Sequence, residues 1–445
     1  MDTVKLEFDL LVIGAGMAGL SAGGRAAEAG ARVLLVEKAE EIGGSGQHAG
    51  FLWTVPDPLV LRGWDDGDPH LQRVIFDHFA EGAEWLRRRD FLQSGPTPVL
   101  HGRGYQFNVL GHQRQCATTI QSAGGHVALG AKVKELIVDA HGRVEGARIV
   151  EEGELIEVRS QWTLLATGGY QADPGLREER IHPNARSIPL RSNPCSNGDG
   201  IRLGLQAGGT WAGENLGFYG HLVFSPSKIT WDNPNTFVRF SQYQSDYSLL
   251  FNEAGKRFTD ETQGDFRSSN MLVFEPNARG LLVWDEYIQR EHVLQAFVLD
   301  AEVEDRLEVA LEHGAQGIKV DDLDELKDPA TSWGFDGETV VSNITEYNRA
   351  ARECPEQLQP PRSHDYRPLD EPPYYALVVE PAITFTHGGL RVDDHARVLN
   401  RHGRPIPGLL AAGADAGNIF NCGYAGGLAL ALTFALRAMR TAGWN

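Results

Sequence analysis

The sequence predicts an α/β fold: a Rossmann-like domain split in two by an inserted domain. Three observations carry this. The first 37 residues read as strand, glycine turn, helix, strand and acid. Residues 217–370 lose that character; aromatics, prolines and charges are interleaved, and no similar glycine turn appears. From Pro381 the glycine-rich pattern returns, and Gly408-Leu409-Leu410-Ala411-Ala412-Gly413 repeats the run from apolar strand into glycine.

Each element has a local reason. Phe8–Ile13 is a short apolar run and reads as the first strand. Gly14, Gly16 and Gly19 follow in the spacing G-x-G-x-x-G. Gly14 makes the tight turn, Gly16 lets the backbone approach a pyrophosphate, and Gly19 packs the next helix on the strand. The helix N-terminus then holds phosphates with its free N–H groups and positive dipole end. Ala31–Val36 is the second strand, and Glu37 follows where an acid accepts hydrogen bonds from a ribose. Together these point to a bound dinucleotide. A second loop, Gly43-Gly44-Ser45-Gly46, comes unusually soon for a nicotinamide domain. It would pass backbone close to something flat and extended.

Residues 68–125 read as mostly helical, and 124–150 as short strands ending in a hairpin at Asp139–Gly142. Leu164–Gly169 is a strand running into a Thr-Gly-Gly turn. The polar loop Ser192–Gly200 opens a helix over Ile201–Ala207, and Gly423–Gly427 opens a last helix over Leu428–Met439.

The formal net charge is −19, which argues against nucleic acid or an anionic membrane as partner. Cys116, Cys195, Cys354 and Cys422 are far apart and form no metal or haem spacing, as expected of reduced thiols in the cytoplasm. No metal site is expected. The N-terminus has no basic stretch followed by an apolar run, so no signal peptide is expected. Ala416–Leu436 is apolar but carries Asn418 and Asn421, and reads as loop plus buried helix, not as a membrane span.

Five separated motifs give the chain a family resemblance. They are Gly14–Gly19 with Glu37-Lys38; Gly43-Gly44-Ser45; Leu165–Gly169; Asn252–Glu261; and Gly388-Gly389-Leu390 through Gly427. In this order they resemble the flavoprotein superfamily of fumarate reductase, succinate dehydrogenase and 3-ketosteroid dehydrogenase, nearest its tricarballylate-dehydrogenase-like group. The resemblance implies a split FAD-binding domain (GR2-type) over 1–216 and 371–445. It also implies an inserted α+β capping domain over 217–370 that closes over substrate on the flavin ring. For FAD it implies contacts from Gly14, Gly16, Ala18, Gly19, Glu37, Lys38, Gly43, Gly44, Ser45 and Gly46. Further contacts are implied from Val133, Ala166, Thr167, Gly168, Asp199, Gly413, Asp415, Gly427, Ala429 and Leu430. Gly44 and Ser45 occupy the stretch where succinate dehydrogenases carry their covalent-flavin His, so FAD is expected to be non-covalent. Ala414 stands where the family often has Glu, and the acid, Asp415, comes one residue later.

The same resemblance frames the chemistry. A flavin exchanges a hydride with one carbon while a protein group moves a proton at its neighbour. Fumarate reductases place an Arg before the final Leu-Gly-Gly to clamp a carboxylate; here Tyr424 stands there, and a phenol can hydrogen-bond an enolate oxygen. His387, at the mouth of the Gly388-Gly389 turn, is a candidate substrate contact that could switch charge near neutral pH. Asp265, Arg267 and His221 lie where relatives keep proton-transfer, carboxylate-binding or substrate groups. The expected function is an FAD-dependent dehydrogenase or reductase acting on a C–C bond beside a carbonyl or carboxylate. Its expected partners are a small organic acid or enone and an external electron donor or acceptor. The alternatives are a flavin oxidase or hydroxylase, or an electron-transfer flavoprotein subunit of a larger complex.

Overall fold

The structure, a computed structural model, describes residues 5–61, 67–93, 95–99, 101–213, 217–295 and 303–444. The chain divides into two compact units. One comprises Met1–Leu176, Ser192–Phe218 and Phe385–Asn445; the other comprises Arg177–Arg191 and Tyr219–Thr384. The sequence reading sets its boundaries at 216/217 and 370/371. The later one falls inside the second unit because the first half of strand Tyr374–Thr386, Tyr374 to Val379, pairs with Gly280–Asp285.

The first unit is built on an eight-stranded sheet. Its strands run in the order Arg397–Leu399, Pro405–Ala411, Glu154–Leu165, Lys5–Ile13, Val33–Val36 and His126–Ala128. The hairpin strands Val144–Glu151 and Lys132–Val138 join through Glu154–Leu165. Pairing from Pro405–Ala411 through His126–Ala128 is parallel, so Ala411, Leu165, Ile13, Val36 and Ala128 end in register. Such strands are buried on both faces and need unbroken apolar runs; Leu10, Leu11 and Val12 are fully buried. Helix Met17–Glu28 packs closely on helix Val109–Ser122 because two of its positions lack a side chain. A Cβ at Gly23 would stand 2.8 Å from Ile120 Cδ1, and one at Gly24 2.8 Å from Cys116 Sγ.

The segment read as mostly helical needs correction. Helices Pro69–Arg87 and Val109–Ser122 are present, but Thr97–Val99 and Gly102–Gln106 lie between them as strands. They pair antiparallel with each other, and Gly102–Gln106 also pairs antiparallel with Phe51–Thr54. Gly102 and Gly104 permit the approach, since a Cβ at either would meet the carbonyl of Thr54 or Leu52 at 2.5 and 2.3 Å. The last helix spans Gly427–Thr441, and the helix after the polar loop spans Asp199–Gln206.

The second unit is α+β. Its five-stranded sheet runs Phe218–Phe224, Tyr374–Thr386, Gly280–Asp285, Leu249–Phe251, with Gly317–Val320 also on Tyr374–Thr386. Gly280–Asp285 is buried throughout. Leu282, Val283 and Trp284 share one core with Val340 and Ile344 of helix Gly337–Glu353. Among the described residues, no helix is long and apolar enough to cross a membrane.

Candidate functional site

The carboxyl ends of the parallel strands in the first unit carry the glycine turns. Gly14 has φ +107°, and a Cβ there would stand 2.3 Å from the Ala166 carbonyl oxygen. A Cβ at Gly19 would stand 1.9 Å from the Gly14 carbonyl oxygen. Gly16 is the opposite case: its missing Cβ points into open space, with nothing within 4 Å. Gly16 caps helix Met17–Glu28 without a side-chain hydrogen bond, and the first turn holds no acid. The amide end of this helix is therefore free to take an anion.

The second glycine loop docks on the first. Gly43 N–H donates to the Ala15 carbonyl at 2.8 Å, and a Cβ at Gly44 would lie 3.1 Å from Gly16 Cα. Gly46 neighbours Met17 and Leu428, and Gly413 neighbours Ala18. The Ser45 hydroxyl lies 2.8 Å from that of Ser192. Glu37 binds its own turn: Oε2 accepts from Ala15 N–H at 2.8 Å and Oε1 from Ala39 N–H at 2.9 Å. Each oxygen keeps a lone pair for a ribose hydroxyl. An uncapped helix end, an open Gly16 and a fixed acid beside it together fit a dinucleotide.

The remaining sequence-derived cofactor residues fall in three groups. Lys38 and Asp199 form an ion pair at 2.7 Å, and Lys38 also donates to Asn197. Ala166, Thr167 and Gly168 form the turn after Glu154–Leu165, and Val133 is buried on the hairpin. Gly427, Ala429 and Leu430 open the last helix. Asp415 needs correction as a ligand. It is 0% exposed, and its carboxylate accepts from Thr167 N–H at 2.5 Å, from Gly169 N–H at 3.1 Å and from the Thr167 hydroxyl. Burial pushes its carboxyl up against these hydrogen bonds. Its side chain holds the Thr167–Gly169 turn and is closed to a ligand.

Tyr424 and His387 meet in an aromatic box at the start of the last helix. The Phe385 ring centroid lies 5.7 Å from that of Tyr424 and 5.5 Å from that of His387. Trp53 stacks edge-on to Tyr424 at 5.2 Å and to His101 at 5.3 Å. The Tyr424 hydroxyl accepts from Gly427 N–H at 2.8 Å, which fixes its oxygen at the helix N-terminus. His387 is 5% exposed, and its buried Nε2 has no hydrogen-bond partner. Burial pulls its pKa down to about 3, so the ring is neutral near pH 7 and is not the charge switch the sequence suggests.

His221 and Asp265 meet in the second unit. His221 Nδ1 lies 2.5 Å from Asp265 Oδ2, and both side chains are nearly fully buried. His221 Nε2 lies 2.8 Å from the Tyr219 hydroxyl. Burial lowers the His221 pKa, and the nearby Arg191 charge adds to this; Asp265 opposes both. We assign a neutral ring whose Nδ1–H donates to Asp265 and whose Nε2 accepts from Tyr219 O–H. Asp246 lies close by. Burial and the Asp265 charge push its carboxyl well above the usual range, and its buried Oδ1 has no partner. Arg267 is half-buried on helix Asp265–Leu272.

Sequence reading missed Tyr219. The alternation in Phe218-Tyr219-Gly220-His221 places Tyr219 and His221 on one face of a strand, and that was the available signal for Tyr219.

The comparisons agree with this geometry. The family described as FAD binding domain matches residues 9–428. NADH:fumarate oxidoreductase of Klebsiella pneumoniae (strain 342) is 24% identical over 463 residues, covering 97% of this chain and 47% of that protein. Urocanate reductase of Eggerthella lenta is 25% identical over 445 residues, covering 93% of this chain and 70% of that protein. The chain thus spans about half the length of the first relative. The solved 3-ketosteroid-Δ4-(5α)-dehydrogenase from Rhodococcus jostii RHA1 is similar with a TM-score of 0.73, at 22% identity, over 99% of this chain and 97% of that one. That similarity fixes the fold. The chain belongs to the FAD binding domain family, within the flavoprotein superfamily of fumarate reductase, and its cofactor is FAD.

Proposed function

We propose that this chain is an oxidoreductase that interconverts a C–C single bond and a C=C bond beside a carbonyl or carboxylate of a small organic molecule. The observation that carries the reading is the buried chain Tyr219–His221–Asp265. Carbon–carbon redox chemistry must move a proton as well as a hydride. Pure electron transfer needs no such buried relay.

When bound, FAD supplies hydride exchange with carbon. Residues Gly14–Gly19 and Gly43–Gly46 hold its phosphates, and Glu37 its ribose. Binding is non-covalent, since the loop beside Gly16 offers Ser45 where a covalent link would need His or Cys. Tyr424 donates its hydroxyl hydrogen to an oxygen that gains negative charge, with Gly427 N–H holding that hydroxyl in place. His387 keeps a neutral nitrogen in the aromatic box for a substrate contact. Tyr219 moves the proton, His221 exchanges it at Nε2, and Asp265 keeps the ring oriented. An external donor or acceptor supplies or removes electrons. Fumarate, urocanate and ketosteroid chemistry among the relatives supports this reaction class. A cytoplasmic location belongs to the same proposal and is supported by four free cysteines.

The test is a half-reaction. Photoreduced protein is mixed without oxygen with cinnamate, crotonate or 2-cyclohexenone. The oxidised flavin spectrum should return, and the saturated product should appear by mass spectrometry. If the spectrum returns only with oxygen, or with a dye, for every such compound tried, the reading fails.

A further inference from the structure

Tyr424 sits in a stretch that its own residues do not hold still. Gly423, Gly426 and Gly427 surround it, and Gly426 has φ +95°. Glycine leaves a backbone free to take many conformations. The direction of the Tyr424 side chain therefore depends on what grips this stretch from elsewhere. Gly427 N–H fixes the hydroxyl end of the side chain. The backbone end is gripped by His101, whose Nε2 lies 2.7 Å from the Tyr424 carbonyl oxygen.

A carbonyl only accepts, so Nε2 carries a hydrogen and donates it. The distance is at the short end of the range for N–H···O. Fixing that carbonyl fixes the peptide plane next to the Cα that carries the phenol. His101 lies at the turn between strands Thr97–Val99 and Gly102–Gln106, and Gly102–Gln106 pairs with Phe51–Thr54. This small sheet thus carries two side chains to the start of the last helix. The Trp53 ring stands edge-on to His101 at 5.3 Å and to Tyr424 at 5.2 Å, at interplanar angles of 88° and 75°. The Trp53 carbonyl fills the space beside Gly426, where a Cβ would stand 2.0 Å from its oxygen. Ring packing limits how far the phenol can swing; the imidazole fixes the peptide that carries it. An apolar residue at 101 could pack on Trp53, but only a donor can hold the carbonyl. The hold has a chemical consequence, since misplacing a reacting group by about 1 Å can cost about 10²-fold in rate.

We propose that His101 is a positioning residue for Tyr424: its Nε2–H holds the Tyr424 peptide, and this hold aims the phenol hydroxyl. That the aim matters to turnover rests on the reaction proposed above; the hold itself does not.

Two measurements separate these. The first needs no turnover. Hydrogen exchange of the FAD-loaded protein is followed by mass spectrometry in peptides covering 422–428, which contain Gly427 N–H. His101→Leu should speed exchange there at least about ten-fold, with peptides over 10–13 unchanged. His101→Gln, whose amide places an N–H near the position of Nε2, should stay within about three-fold of wild type. Wild-type exchange in His101→Leu overturns the proposal, and so does equal exchange in the Leu and Gln variants. The second measurement is re-oxidation of photoreduced protein by whichever of cinnamate, crotonate and 2-cyclohexenone reacts fastest. His101→Leu should lower the rate at saturating compound at least about ten-fold and change the apparent dissociation constant less than about three-fold. In the Tyr424→Phe background the same substitution should change the rate less than about two-fold, because a hydroxyl that is gone cannot be aimed. An equal loss in both backgrounds, or no loss in either, overturns the proposal. If no compound re-oxidises wild type while exchange responds as expected, the hold on Tyr424 stands and the proposed reaction fails. Should His101→Leu lose FAD or its fold, His101→Asn carries both tests, since its shorter amide does not reach the carbonyl; wild-type exchange or an unchanged rate in that variant overturns the proposal.

Discussion

Tyr424 joins two roles in one oxygen. It accepts from Gly427 N–H at 2.8 Å and so stands on the positive end of the last helix, where its own hydrogen is aimed by the bond it accepts. Removing the hydroxyl removes a donor to developing negative charge, a loss that typically lowers kcat by about 10²-fold. Tyr424→Phe should therefore slow flavin reduction or re-oxidation in a single turnover by about that factor, with FAD retained. A wild-type rate would reduce Tyr424 to a packing residue. The residue types of the candidate sites were partly legible. Tyr424, His387, His221 and Asp265 stood out as chemical groups in motifs, yet their states did not. His387 is neutral because 5% exposure strips its solvation, and Asp415 faces inward because Thr167 and Gly169 claim its oxygens. Neither follows from local sequence.

Glycine turns separate what the fold needs from what the ligand needs. At Gly14 and Gly19 a Cβ would stand 2.3 and 1.9 Å from backbone oxygens, which cannot move aside as a side-chain tip can. At Gly16 there is room, and its φ of −84° suits any residue. Gly14→Ala and Gly19→Ala should therefore lower unfolding free energy by about 2 kcal/mol or more. Gly16→Ala should leave the FAD-free protein within about 0.5 kcal/mol of wild type yet bind FAD poorly. Chemical denaturation of the FAD-free proteins and FAD titration check the two halves. Equal destabilisation at all three positions would show that Gly16 serves packing alone. These roles were legible because the strand, turn and helix are contiguous in sequence. The small antiparallel sheet of Phe51–Thr54, Thr97–Val99 and Gly102–Gln106 was not. Two of its strands sit between two helices, and glycines at 102 and 104 erase the alternation that marks a strand.

At the scale of the chain, the return of glycine-rich sequence after Pro381 made the split fold legible, because Pro405–Ala411 has to rejoin a sheet begun at Lys5. The exact divisions were not, since Tyr374–Thr386 is one unbroken strand with residues in both units. The first unit also stores a pH dependence. His112 is fully buried and His387 is 5% exposed, and burial takes each pKa from 6.5 to about 3. In the unfolded chain both rings take a proton below pH 6.5; in the folded chain they do so near 3. Between those values the unfolded state binds more protons, so stability falls as pH drops. Each histidine should remove about 1.4 kcal/mol per pH unit, or about 2 kcal/mol between pH 6.5 and 5. Urea unfolding at pH 7.5, 6.5, 5.75 and 5, followed by FAD release, should show little loss above 6.5 and a steep loss below. His387→Phe should remove its share of the slope whatever it does to stability at pH 7.5, and His112→Gln likewise. A slope unchanged by both substitutions would mean that these rings are protonated in the folded protein, and that the carboxylates carry the acid sensitivity instead.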